Sequence, residues 1–224
     1  MKNGKITIFC GNFGSGKTEL AMAYGVERAK DMPVTLVDMD LVNPYFTTSL
    51  QRERMEKLGV EVLAPSYATS GVDAPSIPRE VLAVFDKPER HIVIDLGGDP
   101  VGAIAMGSLS SRIADFSLVD GYFVLNAARP RTRTAVDAKQ LLEEIQALSK
   151  VPVTGIINNT NLGGQTDGET LLMGNDVAKE LAALSGLPIR YYGVTAGWAE
   201  EARTLGLVGE PILVHRWNKP EWAE

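Results

Sequence analysis

A lysine and a hydroxyl side by side at the end of a glycine-rich run have the chemistry to hold a phosphate chain and a magnesium ion. Residues Gly11-Asn12-Phe13-Gly14-Ser15-Gly16-Lys17-Thr18 satisfy the pattern GxxxxGK[ST] without a mismatch. With average residue usage, a chance match arises about once in a hundred chains of this length. Glycines let successive backbone N–H groups point inward at phosphate oxygens, and the following helix adds its positive end. In such a loop Lys17 reaches the β- and γ-phosphates and the Thr18 hydroxyl holds Mg²⁺, and Lys17 is expected to lie exposed while the site is empty. The rival dinucleotide pattern GxGxxG fails, because Glu19 stands where a third small residue is needed.

Carboxylates follow in a matching order. Leu36-Val37-Asp38-Met39-Asp40 puts two acids at the end of an apolar run, and Ile92-Val93-Ile94-Asp95-Leu96-Gly97-Gly98 ends a second run in an acid with a glycine three residues on. An aspartate there can support the Mg²⁺ shell, and a glycine N–H there can meet the γ-phosphate. Strands also end in Asp for turn reasons alone, so each element by itself says little. Their succession behind a phosphate loop says more: a site for a magnesium nucleotide.

These residues need a scaffold that brings them to one edge. Short, continuous apolar runs at 5–10, 34–37, 60–64, 91–94, 121–125, 153–157 and 190–194 predict strands covered on both faces. Helices are predicted over 18–30, 134–148 and 169–184, the second with an apolar stripe of Val136, Leu141, Ile145 and Leu148. Strand–helix alternation implies an α/β three-layer sandwich: a mostly parallel sheet of about seven strands, helices on both faces, in a single domain spanning 1–224. The chain has 224 residues with 45% apolar and 22% charged, which excludes wholesale disorder. Its net charge of −6 leaves no basic footprint for nucleic acid. No apolar run is long enough to span a membrane, and the first residues make a poor export signal, so a soluble cytoplasmic protein is expected. The one cysteine, Cys10, excludes an internal disulfide and a CxxC metal site.

Taken together, the phosphate loop, residues 34–40 with Asn43 three positions on, and Asp95 to Gly98 resemble the MinD/ParA/Mrp class of P-loop ATPases, the CobQ/CobB/MinD/ParA nucleotide-binding domain. The resemblance implies ATP and Mg²⁺ as ligands, with Lys17 and Thr18 on phosphate and metal. It implies Asp38 and Asp95 as supports of the metal, Asp40 as the residue that positions the attacking water, and Gly98 as the sensor of γ-phosphate. The class also reads adenine with an asparagine after a late strand, a place held here by Asn158 or Asn159. One departure is sharp: where the class carries a signature lysine that crosses a dimer interface, this chain has Asn12. A tight ATP-driven face-to-face dimer is therefore not expected, although a monomer or another dimer is open.

Residues 158–161, Asn-Asn-Thr-Asn, present amides and no acid at the fourth position, which favours ATP over GTP. Arg129, Arg131 and Arg133 are read either as a solvated cluster near a helix start or as a phosphate clamp. His91 and His215 lack ligand-type neighbours, and the loops at 71–75 and 161–164 are possible partner surfaces. The tail with Trp217, Pro220 and Trp222 is expected to pack or fray. The expected activity is that of an ATP-hydrolysing switch acting on an unidentified protein client. A P-loop small-molecule kinase and a nucleotide-bound scaffold with negligible turnover are the alternatives.

Overall fold

In the computed structural model, residues 2–40, 51–63, 77, 79–215 and 217 are described. The chain opens with strand β1 (Lys2–Gly11), helix α1 (Lys17–Arg28) and strand β2 (Val34–Met39). Then come α2 (Arg52–Lys57), β3 (Val60–Leu63), α3 (Arg79–Val84), β4 (His91–Leu96), α4 (Pro100–Ser108) and α5 (Ser110–Ala114). The second half runs β5 (Phe116–Leu125), α6 (Ala135–Ser149), β6 (Gly155–Asn158), α7 (Gly168–Ser185), β7 (Ile189–Val194), α8 (Ala199–Thr204) and β8 (Glu210–Leu213).

The strands form one sheet in the order β3-β2-β4-β1-β5-β6-β7-β8, and each pairing is parallel. Alternate side chains leave opposite faces. Ile8, Cys10, Ile92 and Ile94 enter one core, while Phe9, Val93, Leu36 and Val124 enter the other. Both faces are buried, which is why the strands read as unbroken apolar runs rather than alternating ones. Helix α1 covers the second core, and α4, α6 and α7 close the first.

Every predicted strand and helix exists, with ends moved by a few residues. Three differences carry physics. The sheet has an eighth strand, β8, hidden in the sequence by its length and by Pro211; an edge strand tolerates a proline that a central one does not. On α6 the buried face is Ala135, Ala138, Leu141, Leu142 and Ile145, while Val136 and Leu148 of the predicted stripe are exposed. Small alanines lie against neighbouring elements, and a pattern that weights large residues looks past them. The tail packs as far as Trp217, which is buried against the second core with the Arg54 guanidinium 4.3 Å from its ring centroid. Asn43, the loop at 71–75, Pro220 and Trp222 lie outside the described residues.

Candidate functional site

The loop between β1 and α1 hangs from the middle of the sheet. Gly16 caps α1 with φ 88° and ψ 23°, a left-handed conformation that favours glycine, and no side chain caps the helix there. The first N–H groups of α1 therefore carry no side-chain acceptor, the arrangement that binds anions. Lys17, expected to be exposed, is instead only 7% exposed: its Nζ donates to Asn12 O at 2.9 Å. Burial lowers its pKa, and the nearby Asp95 and Asp40 carboxylates work against that shift. An ammonium desolvated at the sheet edge needs an acceptor, and its own loop carbonyl supplies one.

Below the loop, parallel pairing sets Phe9, Asp95 and Asp38 side by side on β1, β4 and β2. Asp38 is 1% exposed and Asp95 is 2% exposed. Thr18 Oγ1 donates to Asp95 Oδ2 at 2.6 Å, and the Asp40 backbone N–H donates to Asp38 Oδ1 at 3.0 Å. Burial, then the Asp38 charge, push the Asp95 carboxyl up to about 7, against the pull of Lys17 and Thr18. Two buried polar atoms here have no partner, Asp95 Oδ1 and Ser15 Oγ. Unpaired buried oxygens are costly, and a hard cation or its water could satisfy Asp95 Oδ1 here.

A magnesium ion fits that set. It prefers hard oxygen ligands and takes only one or two from protein when nucleotide phosphates and water supply the rest. Among the described residues no group of three or more His, Cys, Asp or Glu side chains is placed to hold a metal ion. Gly98 follows β4 and lies on the phosphate loop. A Cβ there would stand 2.6 Å from Phe13 N and 3.0 Å from Asn12 C, so a larger residue would push the two loops apart.

On the other side of the loop lies a cavity of about 330 Å³, walled by Gly16, Glu19, Arg129, Asn159, Thr195 and Trp198 among others. The two asparagines divide here. Asn159 faces this cavity and its Nδ2 donates to Ser15 O at 2.7 Å, bracing the phosphate loop from β6. Asn158 turns away, its Oδ1 accepting from Thr160 N at 3.1 Å and Thr160 Oγ1 at 2.8 Å. Asn161 and Gly163, from the loop at 161–164, also line the cavity. Glu19 accepts from Trp217 N at 2.9 Å, tying the tail to the helix that carries Lys17.

The three arginines separate as well. Arg129 Nε donates to Gly14 O at 3.0 Å, whereas Arg131 pairs with Glu144 at 2.6 Å on the surface and Arg133 is exposed. His91 and His215 hold no metal cluster among the described residues. Thr195 and Trp198 were not singled out in the sequence. Their signal was there: both follow the carboxyl end of a strand, the edge at which open α/β sheets bind ligands.

Several solved structures share this architecture. The chain superimposes on the cell division protein FtsY of Thermotoga maritima with a TM-score of 0.60 at 20% identity, over 85% of this chain and 62% of that one. It matches the signal recognition particle receptor FtsY of Elizabethkingia anophelis with a TM-score of 0.55 at 19% identity, over 93% and 63% of the two chains. A nucleotide-binding protein in complex with ADP from Archaeoglobus fulgidus matches with a TM-score of 0.51 at 15% identity, over 92% and 87%. The chain thus spans only about three fifths of those FtsY chains. These likenesses show the α/β fold, a parallel sheet with helices on both faces, which the chain shares with those structures. No protein-family model matches the sequence, and no curated protein does. Among the described residues no helix is long and apolar enough to cross a membrane.

Proposed function

We propose that this chain binds Mg·ATP on the loop 11–18 and hydrolyses it as a switch of the MinD/ParA type, working in a single nucleotide-binding domain upon a protein client. One observation carries the reading: Asp95, with an unpartnered buried Oδ1, bonded to Thr18 through Oδ2 and set beside Asp38 directly beneath an open helix N-terminus. A lysine, a hydroxyl and two acids, in that order along the chain, are the parts that a nucleotide's phosphates and magnesium require. Bound magnesium would supply positive charge against the β- and γ-phosphates.

The chain's own groups do the rest. Lys17 leaves Asn12 O for phosphate oxygens, exchanging a carbonyl for an anion. Thr18 and Asp95, with Asp38 behind, hold the metal side. Asp40, intermediate in exposure at the end of β2, orients water toward the γ-phosphate. Gly98, resting on Asn12 and Phe13, registers whether that phosphate is present, and the segments around Asp40 and Gly98 pass its state to the client. Adenine takes the cavity that Asn159 borders. The lack of an acid at position 161 supports ATP over GTP. The kinase alternative gains nothing from the close seat of Gly98 on the phosphate loop, which suits a hydrolase's sensor.

Phosphate release measured with ATP and Mg²⁺, with and without added acceptors or client proteins, tests the reading. Lys17→Ala serves as the binding control. Equal ATP affinity in wild type and Lys17→Ala sinks it, and phosphate transfer to an acceptor without release to water favours the kinase.

A further inference from the structure

Arginines near a bound nucleoside triphosphate are usually cast as γ-phosphate ligands, because a planar cation there stabilises the charge of phosphoryl transfer. The position of Arg129 argues for a different target. Its Nε holds Gly14 O at 3.0 Å, and its guanidinium carbon lies 3.7 Å from where a Cβ on Gly14 would stand. It is fixed from behind, since the Arg129 backbone N–H donates to Asn126 O at 3.0 Å and Arg129 O accepts from Thr132 N at 3.1 Å. The side chain borders the 330 Å³ cavity together with Gly16, Glu19 and Asn159. Lys17, Asp40, Asp95 and Gly98, the metal and water side of the loop, are not among the described residues that line this cavity. Gly16, at the end of the same loop that carries Lys17, does line it. A nucleotide whose terminal phosphates sit at Lys17 and Asp95 has this adjoining cavity to take its sugar and base.

We infer that Arg129 takes, in cis, the phosphate nearest the sugar of a bound nucleoside di- or triphosphate, at the lip between phosphate loop and base cavity, and takes no part at the γ-phosphate. This rests on the nucleotide-binding reading of the loop. The Nε bond to Gly14 aims the guanidinium, whose remaining N–H groups supply a forked, charge-assisted contact to a phosphate oxygen. The contact then serves ATP and ADP alike, so the residue sets affinity for nucleotide rather than the difference between the two states of the switch.

Calorimetric titration of the full chain with Mg·ATP, Mg·ADP and inorganic pyrophosphate tests this, using Arg129→Gln and Arg129→Lys. Glutamine keeps an N–H donor for Gly14 O without the charge, and lysine keeps charge without the fork. A charge-assisted contact is worth roughly ten- to a hundredfold in affinity. The expected result for Arg129→Gln is a loss of that size, equal for ATP and ADP, with a shallower salt dependence, while pyrophosphate binding stays within about twofold. Arg129→Lys should fall between the two. A loss confined to ATP overturns the inference in favour of a γ-phosphate contact. Equal losses for ADP and pyrophosphate overturn it in favour of a residue that only shapes the loop, and no loss at all overturns it outright. Failure of the wild-type chain to bind either nucleotide is a separate outcome, which removes the underlying reading and the inference with it.

Discussion

Strand β4 buries one ionisable group near each end, and burial moves the two in opposite directions. At its start His91 is 1% exposed, and burial with the Lys5 and Arg28 charges pulls its pKa down to about 4. Near its other end Asp95 is 2% exposed and is pushed up to about 7. Each is driven toward its neutral form, as desolvation requires. Their surroundings differ. His91 shares a 2.9 Å hydrogen bond with Thr7 and packs edge-on to Tyr24, with ring centroids 5.8 Å apart. Asp95 faces a second acid, a hydroxyl and a lysine; each residue keeps one buried atom without a partner, His91 Nδ1 and Asp95 Oδ1, so the difference lies in what surrounds them. His91 is set into the packing beside Tyr24 and Thr7, whereas Asp95 stands among convergent polar groups below a helix N-terminus, which is the arrangement the proposed site needs.

If that contrast is right, substitutions at the acidic end change function and those at the histidine end change stability. The largest effect is expected at Asp40. Asp40→Ala should keep ATP binding and lose turnover by about 10²-fold or more, the usual worth of a positioned acid–base group. Phosphate release beside ATP titration measures it, and surviving turnover would reduce Asp40 to a turn residue.

Asp95→Asn comes next. ATP binding should lose its magnesium dependence, read as the ratio of affinities with Mg²⁺ and with EDTA. The ligand-free protein should become more stable above pH 7. The sign follows from the raised pKa: the folded state binds more protons than the unfolded one between about 4 and 7, so Asp95 costs stability as pH rises through that window. A melting temperature that falls at pH 8 on this substitution would show that the carboxylate supports the fold.

The histidine end sets the opposite slope. A lowered His91 pKa means that the unfolded state binds the extra proton between about 6.5 and 4, so stability is complete above that range and falls as pH drops through it. The loss is on the order of 2–3 kcal/mol. His91→Gln should flatten this acid limb in thermal melts while leaving ATP affinity unchanged, and an unchanged limb would mean that other groups set it.

The smallest expected effect is none. Asn12 O accepts the Lys17 ammonium, and an asparagine side chain has no charge to place against a second copy's phosphates. With −6 per chain, pairing site to site adds like-charge repulsion in a partly dry interface. Light scattering of Asp40→Ala should therefore show no monomer-to-dimer shift on adding Mg·ATP. A shift that disappears in Asn12→Ala would show that the acidic end is completed by a partner copy after all.

Sequence alone determined what is local or periodic. The shape of the loop at 11–18 was legible because its glycine spacing encodes left-handed turns at Gly14 and Gly16, and the strands because burial on both faces leaves unbroken apolar runs. The succession of Asp38, Asp40 and Asp95 was legible for the same reason, each standing at the end of such a run. Tertiary structure decided whatever depended on which strands are neighbours. The order β2-β4-β1 places Asp38 beside Asp95 across 57 residues of sequence, and a Cβ-free Gly98 against Asn12. It buried Lys17, whose Nζ donates to Asn12 O of its own loop while the Asp95 and Asp40 charges reach it from other strands. It turned Asn159 toward the cavity and Asn158 away, since adjacent side chains on a strand end point to opposite sides. It also separated Arg129, held to Gly14 O, from Arg131, spent on a surface pair. Long-range pairing is set by the sum of many weak packing contacts, and no short stretch of residues carries that sum.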